Sequence, residues 1–289
     1  MGEQQSTYFL GANSNQGFYS CYDTFCADDF LWVIKGGPGC GKSTFMKLIA
    51  AAAEAENLDV QYVLCSADPD SVDGVYIPAW HVGYVDGTAP HVQEVRIPGA
   101  GGAYLDLGQF YNFSVLKHLR TAILENQRRY RLIYNDIYAK LATFACPQPE
   151  ADATWREFTV ARFYRAITHK GLLNLYPNKC AVCDRKTVYD LAEAAWEQKN
   201  RFIEIRNPLF PNLTDGLILP DTVTFVQVAD SKVDTLVNNA AERICPLLKQ
   251  AKNLHDELEA IYHPYVDFEA VTALAKKHIK MLKNENIRL

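Results

Sequence analysis

The sequence predicts an α/β fold, a mostly parallel sheet flanked by helices, laid down twice along the chain. Three observations carry that expectation. An apolar run, Phe30-Leu31-Trp32-Val33-Ile34, leads directly into Gly36-Gly37-Pro38-Gly39-Cys40-Gly41-Lys42-Ser43. Phe45 to Glu56 is then rich in Ala, Leu, Ile and Met, which all suit a helix. Finally, two blocks of the first half recur in the second half at constant offsets.

The elements follow in order. Ser6 to Tyr22 reads as two short strands around a turn, with Gly11, Asn13, Asn15 and Gly17 supplying the turn residues. Phe30 to Ile34 is a buried strand, followed by the glycine loop and its helix. Val60 to Cys65 is a second strand. Val82 to Val85 is a third, ending in Asp86. Val115 to Phe144 has few helix breakers and reads as one bent helix or two. Cys146-Pro147-Gln148-Pro149 stops it, since the prolines cannot continue a helix. The expected domains are 1–150 and 151–289.

The recurrences define the second half. Phe9, Ala12, Gly17 and Tyr22 return as Phe163, Ala166, Gly171 and Tyr176, all 154 positions later. Pro69, Asp73, Gly74 and Pro78 return as Pro211, Asp215, Gly216 and Pro220, all 142 positions later. The second copy is therefore 12 residues shorter between its blocks, the length of the segment Phe30 to Gly41. Asn178 to Cys183 stands in that place, followed by an expected helix, Lys186 to Asn200. The second half is expected to keep the scaffold and to have lost the phosphate cradle.

Composition sets the outer bounds. The 289 residues are 48% hydrophobic and 22% charged, which fits a globular chain and excludes disorder and collagen-like repeats. A net charge of −5 argues against a broad nucleic-acid or membrane surface. No run approaches the roughly 18 apolar residues of a membrane span, and Lys47 interrupts the most helix-like one, Phe45 to Ala53. With no signal-peptide core at the N-terminus, the expected location is cytoplasmic. The eight cysteines are then reduced thiols, each a core residue, a ligand or a reactive group.

Gly36-x4-Gly41-Lys42-Ser43 has the spacing of a phosphate-binding loop, or Walker A motif. Glycines let the backbone curl so that successive N–H groups face phosphate oxygens, and the helix that follows adds the positive end of its dipole. Gly36, Gly37, Pro38, Gly39, Cys40, Gly41, Lys42, Ser43 and Thr44 are the expected nucleotide contacts. Lys42 is expected at the β- and γ-phosphates and Ser43 on Mg²⁺. Asp86, ending an apolar strand, is the expected acidic partner for that Mg²⁺; a turn cap at Gly87-Thr88 is the plainer reading. Fold and motif together point to the P-loop NTPase fold, with ATP and Mg²⁺ as cofactors and a degenerate second P-loop-like half.

Other residues are weaker candidates. Asp68 and Asp70 follow the second strand and could position a nucleophile, or simply form an Asx turn beside Pro69. Asp73 recurs as Asp215 and so reads as structural. Thr88 and His91 could meet a γ-phosphate or a substrate. Arg120, Arg128, Arg129 and Arg131 could supply an arginine finger, with a solvated helix face as the alternative. Arg162, Arg165 and Arg185 are the second-half candidates to reach the first half. Cys180-x2-Cys183 has half the spacing of a zinc site. Cys40 is a candidate for thiol modification, and Met1 to Ser6 fits the loose myristoylation pattern.

Gly36 to Thr44, Cys65 to Pro78 (C-S-A-D-P-D-S-V-D-G-V-Y-I-P) and Asp86 to His91 (D-G-T-A-P-H) resemble functionally uncharacterised bacterial ATPase-like proteins built from two tandem P-loop halves. Phe9 to Asn13, Gly17, Pro98 to Ala100, and Leu107-Gly108 also fit. The resemblance covers the first half well and the second only through the recurring blocks. It implies an ATP-binding α/β fold, places Thr44 near the α-phosphate, and supplies no substrate. Members of that family carry a second phosphate loop, which this chain lacks. The stretch G-G-P-G-x-G-K is also similar to nucleoside monophosphate kinases, though their arginine-rich lid is not evident.

Three activities fit this sequence. One is an ATPase. The second is a small-molecule kinase, with Asp68 or Asp70 positioning the acceptor. The third is a nucleotide-dependent switch that binds a small-molecule or protein partner with negligible turnover. Gly87, where many motor ATPases carry Glu after the strand Asp, shifts weight toward phosphoryl transfer to a substrate, slow hydrolysis, or a base supplied from elsewhere. The absence of an Asn/Thr-Lys-x-Asp motif favours adenine over guanine.

Overall fold

The computed structural model describes residues 6–26, 28–90, 92–147, 155–156, 159–220, 222 and 224–284. In chain order the strands are β1 (Thr7–Tyr8), β2 (Gly11–Ser14), β3 (Gly17–Ser20), β4 (Phe30–Lys35), β5 (Gln61–Leu64), β6 (Val72–Ile77), β7 (Val82–Asp86), β8 (Gly102–Asp106), β9 (Val160–Arg162), β10 (Arg165–Thr168), β11 (Gly171–Asn174), β12 (Ala181–Cys183), β13 (Ile203–Arg206), β14 (Thr214–Leu219) and β15 (Thr224–Val228). The helices are α1 (Lys42–Glu54), α2 (Phe113–Leu116), α3 (Arg120–Leu141), α4 (Arg185–Glu197), α5 (Ser231–Tyr262) and α6 (Phe268–Asn284). No helix among the described residues is long and apolar enough to cross a membrane.

The compact units do not coincide with a division at residue 150. One unit joins Cys26–Tyr134 to Gln250–Leu289, and the other joins Gly2–Phe25 to Asn135–Lys249. The physical reason lies in α3 and α5, each of which begins in one unit and ends in the other. A proline stop marks the end of a helix; it does not mark where packing ends.

In the first unit, β4 is flanked by β7 and β8, both parallel to it. β6 runs antiparallel to both β5 and β7, and the strands follow one another in the order β5-β6-β7-β4-β8. The sheet is thus mixed, which corrects the mostly parallel expectation. The cause is loop length: residues 65–71 and 78–81 are too short for the crossover that a parallel pair needs, so the chain folds straight back. α1 buries Phe45, Met46, Ile49, Ala50 and Ala53 in one cluster with Val75, Ile77 and Tyr84 of the sheet and Val271 and Ala275 of α6. Each large side chain buried in this way contributes about 1.5–3 kcal/mol.

The second unit's sheet has the order β12-β15-β14-β13-β9. Its register repeats that of the first. β5 pairs Gln61↔Tyr76 through Leu64↔Val72, with a bulge between Val63 and Leu64. β13 pairs Ile203↔Ile218 through Arg206↔Thr214, with the bulge between Ile205 and Arg206. Every partner is displaced by the same 142 positions. The hairpins β2–β3 and β10–β11 match as closely, from Ser14↔Gly17 and Thr168↔Gly171 outward. Ser14 Oγ donates to Gly17 O (2.8 Å) as Thr168 Oγ1 donates to Gly171 O (2.9 Å). Both glycines are left-handed, with φ of 96° and 99°.

The missing segment is smaller than the sequence suggests. β12 is parallel to β15, with Cys183 opposite Val228, just as β4 is parallel to β7, with Ile34 opposite Asp86. The strand is therefore shortened rather than lost. The loop between strand and helix shrinks from residues 36–41 to Asp184 alone. That strand is hidden in the sequence because Ala181-Val182-Cys183 is too short to be recognised as one.

Candidate functional site

Residues 36–41 bridge the end of β4 and the start of α1. Gly39 and Gly41 have φ of 67° and 90°, a left-handed backbone that glycine tolerates without the penalty of a Cβ. Gly41 is the N-cap of α1 and brings no side chain to it, so the first-turn N–H groups have no side-chain cap. In the second unit the same place is closed. Asp184 caps α4 by accepting from Thr187 N (2.9 Å).

Lys42 turns back over the loop. Its Nζ donates to Gly36 O and Gly37 O, both at 2.9 Å, and lies 3.7 Å from Asp86 Oδ2. Both side chains are largely buried, 12% and 13% exposed, so the pair is shielded from solvent. Parallel pairing of β4 and β7 sets Asp86 opposite Ile34, at the mouth of the loop. Asp86 Oδ1 accepts from Thr88 N (2.9 Å) and Thr88 Oγ1 (2.6 Å), leaving Oδ2 toward Lys42. The turn-cap reading and the site reading thus apply to different oxygens of one carboxylate. Lys35 Nζ donates to Gly87 O (3.0 Å), Gln93 O (2.8 Å) and Glu94 Oε1 (3.1 Å), tying the segment after Asp86 to β4.

The remaining loop residues divide by exposure. Cys40 is fully buried and burial pushes its thiol up, against the pull of Lys42, so it stays a protonated, inaccessible thiol rather than a modification site. Pro38 O accepts from Tyr111 Oη at 3.0 Å. Ser43 Oγ accepts from Val72 N at 3.2 Å, and Thr44 is exposed. Gly39 N donates to Glu259 Oε1 at 3.2 Å. The hydrogen bond of Glu259 to His255, and then the Gly39 amide, hold its carboxyl below the usual range. Glu259 and Tyr111 escaped the sequence reading. Glu259 sits far along the chain in α5 and carries no local motif.

Asp68 does form the Asx turn: its Oδ1 accepts from Asp70 N (3.3 Å), its Oδ2 accepts from Ser71 Oγ (3.2 Å), and Lys252 Nζ lies 3.3 Å from it. Asp70 is exposed, and its carbonyl accepts from Lys47 Nζ at 3.0 Å. Asp73 is buried in β6, as Asp215 is in β14. Arg120, Arg128 and Arg131 are exposed, while Arg129 pairs with Glu257 at 3.5 Å. The second-half arginines have partners inside their own unit. Arg162 stacks on Tyr8 at 3.8 Å, Arg165 pairs with Asp215 and Asp234, and Arg185 pairs with Asp230 at 3.3 Å. Cys180 Sγ donates to Gln227 Oε1 at 3.5 Å, and no cluster of three potential ligands among the described residues includes Cys180 or Cys183. His91 and residues 1–5 of the myristoylation pattern lie outside the described residues.

The Lys42 ammonium, the Asp86 carboxylate and a helix N-terminus without a side-chain cap thus meet where β4, β7 and α1 join, and helix N-termini of this kind favour anions. No protein-family model, curated protein or solved structure matches the chain.

Proposed function

We propose that the chain binds Mg-ATP at the loop of residues 36–41, in a P-loop NTPase fold whose second copy has lost the site. The observation that carries this reading is the shielded pairing of Lys42 with Asp86 beside an uncapped helix N-terminus. In this reading the loop amides and Lys42 hold the phosphates. Ser43 and Asp86 hold Mg²⁺, which prefers hard hydroxyl and carboxylate oxygens, and Thr44 faces the α-phosphate. The second copy supports it by contrast: Val228 replaces Asp86 in register, and the loop is gone.

ATP hydrolysis is the activity favoured for this site. A switch with slow turnover is the second reading, and Gly87 favours it, since no carboxylate follows Asp86 to activate water. Phosphate release with Mg-ATP alone tests the first reading, with Asp86→Asn as the inactive control. Tight binding without release points to the switch. Release or transfer that appears only when metabolites are added points to a kinase.

A further inference from the structure

We propose that Glu259 is a built-in competitor for the phosphate loop: its carboxylate takes a loop amide that a triphosphate would use and must leave before one can seat. This rests on reading residues 36–41 as a phosphate loop. Gly39 N donates to Glu259 Oε1 at 3.2 Å. A loop that gathers N–H groups for an anion here offers one of them to an anion of the protein's own. A carboxylate and a phosphate cannot share that N–H, and their charges repel at such range.

The carboxylate is held in place by its surroundings. His255, one turn earlier on α5, meets Glu259 Oε1 at 3.4 Å. A Cβ at Gly39 would stand 3.2 Å from the Glu259 carbonyl oxygen, so the backbone of α5 lies against the loop. Tyr111 donates to Pro38 O and packs on Tyr262, with ring centroids 5.1 Å apart. Beyond α5, Asn112 N donates to Tyr265 O (2.8 Å) and Asp267 N to Phe110 O (3.0 Å). Lys252 ties the same helix to Asp68. Nucleotide entry therefore acts on the last turns of α5, and those turns report on the state of the loop.

The competing account is that Glu259 braces the loop in its binding shape. The two accounts predict opposite signs. Calorimetric titration of Mg-ATP into the full-length chain, Glu259→Ala, Glu259→Gln and Lys42→Ala separates them. A lost hydrogen bond to a charged group corresponds to about tenfold or more in affinity. Glu259→Ala is expected to bind at least about tenfold tighter than the parent, with Glu259→Gln in between, and with amide exchange in 255–262 of the parent rising on nucleotide addition. Equal or weaker binding by both Glu259 variants, with Lys42→Ala inactive, overturns the competitor role and leaves the loop assignment standing. No binding by the parent or by either Glu259 variant removes both. Thermal melting checks that each variant is folded, and the Glu259 side chain is 43% exposed, which favours tolerance of the change.

Discussion

Lys42 Nζ, from the first residue of α1, stands 3.7 Å from Asp86 Oδ2 at the end of β7, with both side chains largely buried. This pair joins the end of one strand, the start of a helix and the last residue of a second strand at a single point. The repeat has no equivalent, because Val228 holds the register position of Asp86.

Asp86→Asn keeps the size of the side chain and its hydrogen bonds with Thr88 but removes the charge. Mg²⁺ dependence of nucleotide binding is expected to collapse, while metal-free nucleotide binds as well as in the parent, or better for lack of a nearby anion. Titration of ATP with Mg²⁺ and with EDTA checks this. Equal Mg²⁺ enhancement in the variant contradicts the assignment of Asp86 to the metal.

His278 gives the stability a pH dependence. It is 7% exposed, its Nδ1 lies 3.1 Å from Tyr84 Oη, and Trp32, Phe45 and Tyr84 surround its ring. Burial, with Lys277 adding to it, lowers its pKa to about 4. An unfolded histidine titrates near 6.5, so above that pH neither state carries the proton. As pH falls from about 6.5 toward 4, the unfolded chain takes up a proton that the folded chain refuses, and stability drops. Urea unfolding at pH 7.5 and pH 5 is expected to differ by about 2 kcal/mol from this residue. His278→Phe is expected to remove that share of the difference.

Arg165 is a buried charge of the second unit. Its Nε donates to Asp215 Oδ2 (3.0 Å) and its Nη1 to Asp234 Oδ1 (2.7 Å), while Asn207 Nδ2 donates to Asp215 Oδ1 (2.8 Å). Arg165→Ala leaves Asp215 buried without its countercharge and is expected to cost about 3–5 kcal/mol. Adding Asp215→Asn is expected to recover part of that, a non-additivity that denaturant titration of the double variant measures. No recovery would mean that the pair is not the source of the loss.

The local parts of this architecture are legible in sequence, and the non-local parts are not. Phe30 to Ile34, the glycine loop and α1 form one continuous signal, because apolar strand, tight turn and helix former follow one another directly. The offsets of 154 and 142 survive as strand registers because a bulge and a hairpin glycine have to be kept for the pairing to hold. β6 is hidden because Asp73 and Gly74 break its apolar pattern. Both are buried by the fold, which no pattern within the strand announces. The division into two units is invisible in the sequence because α3 and α5 each run from one unit into the other with no break in the helix where the units change. Glu259 reaches Gly39 only through α5, so no spacing rule links the two.

Calorimetric stoichiometry tests the central claim most directly. Mg-ATP titrated into the parent chain is expected to bind at one site per chain. Lys42→Ala is expected to abolish that binding, and Arg185→Ala, at the start of the matching helix of the second copy, to leave it unchanged. Unaltered affinity in Lys42→Ala, or two equivalent sites per chain, would contradict a single working loop in the first repeat.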